Sequence, residues 1–177
     1  MPTADPTQPI ATPSASTDKA RDGMTNSPEE RLAAMGVILR DPGPSLANYV
    51  PALICDGYLY ISGQLPLGPS GVEFIGKLGR DLDLASGREA ARLSAINILA
   101  QAKSALGELN RVRQVTRLVG YINGIDSFSE PHKVLDGASD LIVDAFGAVG
   151  KHSRSVLVAA NLPLNAATLV DAIMAID

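Results

Sequence analysis

Ser153-Arg154-Ser155 stands at the mouth of a short apolar run, Val156-Leu157-Val158-Ala159-Ala160, which closes on Asn161-Leu162-Pro163. A guanidinium at the start of a buried strand stays charged at any working pH and presents a planar fork of donors. Two parallel N–H groups of that fork match the two oxygens of a carboxylate. The carboxylate comes either from an acidic side chain, with Asp136 and Asp171 as candidates, or from a small-molecule ligand. Structural ion pairs are common, so the residues taken alone favour the acidic side chain. Val156 lies two residues past Arg154, hence on the same strand face. His152 shares that face, but a lone histidine near a strand start is more often solvated or structural than catalytic. His132 follows Pro131 in a first helical turn and takes no role. Two histidines and one cysteine give no zinc spacing. There is neither a Gly-rich phosphate loop nor a Ser/His/Asp constellation.

Several elements must position that arginine. Residues 1–26 are rich in Pro, Thr, Ser, Ala and Asp, with Ile10 almost the only large apolar residue. Such a segment buries too little to offset its ordering entropy and reads as a disordered tail. Residues 27–177 read as one domain. Ser27, Pro28 and Glu30 spell a capping box with proline at the first helical position, and Gly36 ends that short helix. Val37-Ile38-Leu39 reads as an extended piece. Ala52–Cys55 and Tyr58–Ser62 read as strands joined by Asp56-Gly57, a two-residue hairpin signal. Residues 63–71 read as a loop and 72–75 as a further strand. Leu84–Leu106 has helical periodicity through Leu93, Ile96, Leu99, Lys103 and Leu106, with Ser86 as its cap and Gly107 as its stop. Residues 113–122 alternate as a strand, with Val115, Arg117, Val119 and Tyr121 on one side. A second long helix runs from Ser127 or Ser129 through Phe146. The last two strands are 155–160 and 168–176. Strand, strand, helix, strand, helix, strand, strand predicts an α+β layout with two helices stacked on one face of a mixed sheet.

The totals narrow the function classes. The chain of 177 residues has a net charge of −4 and 4% aromatic residues. The sequence pI is about 5.1. Arg111, Arg113 and Arg117 are spaced beside Glu108 and form no dense basic cluster. Nonspecific phosphate binding and base stacking are therefore disfavoured, and no nucleic-acid partner is expected. No apolar stretch is long enough to cross a membrane, and no secretory signal is read. Cys55 is the single cysteine, which fits a reducing, cytoplasmic setting; it reads as a small buried hydrophobe.

Four peptides in order resemble the RidA family, also called YjgF/YER057c/UK114. They are Asn48-Tyr49-Val50, Ser62-Gly63-Gln64-Leu65-Pro66, Ser153-Arg154-Ser155 and Asn161-Leu162-Pro163. The likeness runs from about Pro44 to the C-terminus. It is similar to a longer-chain branch marked by Gly-Lys-Leu-Gly-Arg-Asp-Leu at 76–82 and Asn-Ile-Leu-Ala at 97–100. The resemblance implies a chorismate-mutase-like fold and a homotrimer with sites in the clefts between subunits. It implies hydrolysis of reactive enamine or imine intermediates, such as 2-aminoacrylate, to 2-keto acids and ammonia, without cofactor or metal. On this reading Arg154 holds the substrate carboxylate. Ser62 and Gly63 form the ligand-facing loop, with Gln64 fixing it, and Tyr49 is an aromatic wall. Val156 takes a place where family enzymes often have cysteine, so it keeps a pocket wall and loses the thiol. Asp136 stands where many members have asparagine; it would repel a substrate carboxylate, pair with Arg154 in the empty site, or accept a proton. Leu169 falls where the deaminases carry a water-positioning glutamate, a task leucine cannot perform. Asp171 would substitute only if the pocket reaches it, and reads first as a structural salt bridge. The other readings are a non-catalytic ligand-sensing or partner-binding module and, against the charge argument, an endoribonuclease.

Overall fold

A computed structural model describes residues 26–43 and 48–177. The proposed tail, apart from Asn26, lies outside the described residues. The first helix, α1 (Pro28–Ala34), begins with the expected capping box: the Ser27 hydroxyl accepts from the Glu30 amide, and the Glu30 side chain accepts from the Ser27 amide. Its glycine stop also holds, with Gly36 at φ +71°. Residues 37–43 follow without strand pairing.

Strands β1 (Ala52–Cys55) and β2 (Tyr58–Gln64) form the predicted hairpin. Asp56 and Gly57 both have positive φ, 49° and 76°, as a two-residue turn of matching twist requires. Of the proposed strand over 72–75, only Val72 lies in a strand. β3 (Leu67–Gly68) and β4 (Gly71–Val72) make a small separate hairpin. Phe74 then turns to φ +56°, which ends the pairing, and Ile75 makes a lone bridge to Ala166.

Helix α2 (Leu84–Leu106) has the predicted span but a different cap and a different buried face. Asp83, not Ser86, is the N-cap, and its carboxylate accepts from the Ser86 amide at 2.8 Å. The buried stripe is made of small residues, Gly87, Ala90, Ala91, Ser94, Ala95 and Ala102, with Ile98, Leu99 and Leu106. Leu93 and Ile96 are only partly buried. Close approach to the sheet and to the next helix selects small side chains over large ones here.

Strand β5 (Val112–Asn123) carries a bulge between Val115 and Arg117. The extra residue puts Val115 on the core face with Leu118, not beside Arg117 on the outer face as strict alternation predicts. Helix α3 (Pro131–Phe146) starts later than expected, with Glu130 as an N-cap whose side chain pairs with Lys133 and caps no backbone N–H. β6 (Ser153–Ala159) and β7 (Thr168–Ile176) complete a five-stranded sheet in the order β1-β2-β7-β5-β6. Of these five strands, β5 and β6 pair in parallel and the other neighbours pair antiparallel. Helices α2 and α3 cover one face, and the core between the layers is built from Leu59, Ile98, Leu118, Ile122, Leu135, Ile142 and Met174. The α+β layout with helices on one face of a mixed sheet is therefore present. No helix among the described residues is long and apolar enough to cross a membrane.

Candidate functional site

Parallel pairing fixes where Arg154 points. It sits opposite Leu118, as Val156 sits opposite Gly120, so both belong to the helix-covered face of the edge strand β6. There the Arg154 guanidinium meets α3. Its Nη2 lies 2.8 Å from Asp136 Oδ1, and its Nη1 donates to Ser139 Oγ at 3.0 Å. Both charged side chains remain about one-third exposed, 32% for Arg154 and 34% for Asp136. Within one chain, then, the arginine is met by an acidic side chain of its own protein. Val156 packs partly buried against the core.

Two residues that the sequence reading did not single out organise this edge. Ser139, one turn after Asp136, also lies 3.0 Å from His152 Nε2, and His152 Nδ1 lies 2.6 Å from the Gly150 carbonyl. A carbonyl can only accept, so Nδ1 carries the proton, and Nε2 is left to accept from the Ser139 hydroxyl. Burial holds the His152 pKa below its ordinary value, with Arg154 adding to that push and the Gly150 carbonyl opposing it. Arg88, from α2, is the second residue. It reaches Asp140 at 2.8 Å and the other oxygen of Asp136 at 3.5 Å, and it donates to the Lys133 carbonyl at 3.2 Å. Asp136 thus stands between two guanidiniums supplied by different elements. An i, i+4 pair of aspartates on a helix facing one arginine is the signal that could have pointed to Arg88.

The other proposed residues gather elsewhere. Tyr49, Ser62 and Gly63 line a cavity of about 600 Å³ together with Leu53, Tyr60 and Asp171. This cavity does not include Arg154, Asp136 or Val156. Tyr49 is 56% exposed. The Ser62 hydroxyl is already used: it donates to the Val50 carbonyl at 2.9 Å and so pins the segment that carries Tyr49. Gly63 lies in a bulge where β2 slips its register against β7 between Ile61 and Gln64. A Cβ there would sit 2.9 Å from Leu169 Cγ, so the absent side chain makes room for Leu169. Gln64 does fix the loop, donating from Nε2 to the Ser62 carbonyl at 2.8 Å.

Asp171 departs from expectation. It makes no salt bridge among the described residues and faces the Tyr49 cavity from β7, on the same side as Leu169. Burial raises its carboxyl pKa above the ordinary 3.8, and Arg117 offsets this only in part. A raised native pKa means that the folded state binds more protons than the unfolded chain from pH 3.8 upward through the native value, so this group costs stability as pH rises across that window. Asp171→Asn should therefore match the parent near the acid end and become the more stable of the two toward neutrality. Thermal melts at about pH 4, 5.5 and 7 measure this; parallel curves would contradict it. Cys55 also differs from expectation, being exposed rather than buried. It lies opposite Tyr58 on the edge hairpin.

A third cluster closes the end of the sheet. Asn123 is fully buried, and its side chain bonds Asn165 Oδ1 at 3.0 Å and the Gly76 carbonyl. Lys77 Nζ donates to Asn123 Oδ1 at 3.0 Å and to the Ala160 carbonyl. These bonds tie the 76–82 peptide to the Asn161-Leu162-Pro163 turn. That gives both motifs a structural reason.

The family model described as YjgF/chorismate mutase-like, with a provisional endoribonuclease label, matches residues 29–176. The chain belongs to the YjgF family. A curated relative, Protein TCP17 of Trypanosoma cruzi, is 39% identical over 148 residues, which is 82% of this chain and 92% of that protein. A crystal structure from Agrobacterium tumefaciens, of a protein of unknown function, is 44% identical with a TM-score of 0.81; the match covers 85% of this chain and 92% of that one. Another, from Shewanella oneidensis and provisionally named an endoribonuclease, is 40% identical with a TM-score of 0.83, covering 85% of this chain and all of that one. The matched span contains all four of the peptides named above and the whole of the five-stranded sheet.

Proposed function

We propose that the protein acts as a homotrimer that binds small 2-keto or 2-imino carboxylates between subunits and hydrolyses reactive enamine or imine intermediates to keto acid and ammonia. The observation that carries this reading is the division of the site. Arg154, Asp136 and Val156 lie at the β6 edge on the helix side. Tyr49, Ser62, Gly63 and Asp171 lie around β2 and β7 on the open side. β2 and β6 are separated by β7 and β5, roughly 14 Å at ordinary strand spacing. One small ligand cannot touch both groups in one chain, but it can where the β6 edge of one copy meets the β1–β2 edge of the next. The open face supports assembly, since Leu53, Tyr58, Tyr60 and Leu157 expose large apolar surfaces there.

In such a cleft Arg154 would hold the carboxylate and place the imine carbon next to Asp171. Water adds to that carbon and gives a proton to the Asp171 carboxylate. Asp171 returns that proton to the nitrogen of the carbinolamine; ammonia leaves as the hydroxyl oxygen closes to the carbonyl, and the freed Asp171 carboxylate takes the hydroxyl proton. A second reading, ligand binding without turnover, is favoured by Leu169 filling the space over Gly63 and by Asp136 already seated on Arg154. RNA cleavage is disfavoured because Arg113 pairs with Asp177 at 3.2 Å and Arg111 donates to the Asp177 carbonyl, leaving no basic stripe along β5. The deciding experiment is ammonia release from 2-aminoacrylate generated in situ by a dehydratase. Hydrolysis should exceed the spontaneous rate at catalytic amounts of protein. A rate equal to the spontaneous one, even at stoichiometric protein, would leave only the binding reading.

A further inference from the structure

The β6 edge carries both signs of charge, fixed side by side. Arg154 and Asp136 are 2.8 Å apart, and Asp136 is held from behind by Arg88 at 3.5 Å, itself anchored on Asp140 at 2.8 Å. Arg154 engages one terminal nitrogen with Asp136 and the other with Ser139, so three of its five N–H donors have no partner among the described residues. An incoming carboxylate that binds them comes within a few ångströms of Asp136. A ligand with only that charge is repelled by the aspartate. A ligand that also carries a cationic nitrogen on the neighbouring carbon meets Asp136 with its nitrogen and Arg154 with its carboxylate, and both contacts are attractive.

We infer that this edge selects zwitterions, α-amino acids and protonated 2-imino acids, over plain 2-keto acids, and that Asp136 is the residue that makes the choice. This rests on the reading that Arg154 lies in the ligand cleft, and it deepens that reading by naming the substrate class. Arg88 acts as a positioning residue that keeps the Asp136 carboxylate turned toward the β6 edge. The selection also suits a hydrolase: the imine enters as a zwitterion, and the keto acid product, which has lost its nitrogen, is pushed out.

The test is calorimetric titration of the full chain with 2-aminobutyrate and 2-ketobutyrate, which share one carbon skeleton. The parent protein should bind the amino acid at least about tenfold more tightly, a difference of about 1.4 kcal/mol. Asp136→Asn should reverse the order, weakening 2-aminobutyrate and strengthening 2-ketobutyrate. A parent protein that prefers the keto acid, or an order unchanged by Asp136→Asn, overturns the inference while leaving carboxylate binding intact. If neither compound binds the parent protein, the cleft reading itself fails and the inference with it. The parent titrations decide the matter even if the variant does not fold.

Discussion

Gly137→Ala is expected to lower the melting temperature by roughly 5–15 °C, a large effect for a single methyl group. Gly137 sits in α3 where that helix crosses α2, and a Cβ there would overlap the Arg88 carbonyl oxygen and lie 2.8 Å from its carbon. Both clashing atoms are backbone, so no side-chain rotation relieves the overlap; the helices must separate. Overpacking of a closely packed contact costs about 1–3 kcal/mol and occasionally more. The helix-propensity gain of alanine over glycine returns about 1 kcal/mol, and the rigid contact places this site at the high end, so a net loss of about 2–4 kcal/mol is expected. Gly43→Ala is the control, since nothing among the described residues lies within 4 Å of its Cβ position and its φ is outside the left-handed range; it should be neutral or slightly stabilising. Equal melting temperatures for the two variants would mean that the helices do not approach as described. The substitution has a second consequence. Asp136 and Arg88 are the neighbours of this contact, so separating the helices also lengthens the ion pair behind the β6 edge.

The same contact shows why part of the fold was legible in the sequence and part was not. Turn and cap residues announce themselves locally: Asp56-Gly57 and the Ser27–Glu30 box needed no knowledge of what packs on them. The buried face of α2 did need it. Reading periodicity weights large apolar residues, which pointed to Leu93 and Ile96, whereas the face that meets α3 and the sheet is small because the backbones are close. Asp83 and Ser86 are both good caps three residues apart, and the one preceding the first helical residue wins. The bulge in β5 adds a residue without a composition signal, so Val115 changed faces unannounced. At the site, Arg154 was visible because a charged residue at a strand mouth is costly and demands a partner. Asp136 was a candidate partner from its type alone. Arg88 and Ser139 were not, since each acts only through the crossing of α2, α3 and β6. The division of the proposed residues between two edges of the sheet depends on strand order, which places β7 between β2 and β5 against chain order.

Arg154→Ala should weaken ligand binding strongly while leaving the fold almost untouched, and that combination separates a ligand-holding arginine from a structural one. A charge-assisted carboxylate contact in a partly buried site contributes about 1.5–3 kcal/mol, so affinity for a small carboxylate should fall about 10- to 150-fold. The cost to stability should stay within about 1 kcal/mol, because the Arg154–Asp136 pair is one-third exposed and Asp136 keeps Arg88 when Arg154 is gone. If Arg154 served only to neutralise Asp136, melting temperature would drop and affinity would not. The division of the site adds a sharper readout. Gly63→Val damages the opposite half, where Leu169 leaves no room for a side chain, and should be inactive alone. When the two variants are unfolded and refolded together at equal amounts, a trimer with clefts between adjacent copies regains intact sites. An intact cleft needs the arginine from one copy and the glycine from its neighbour, which random mixing supplies in about one cleft in four. Recovery of about a quarter of the parental binding capacity is the expected result. No recovery from a well-folded mixture would mean that both halves serve within one chain or that one of them serves no ligand.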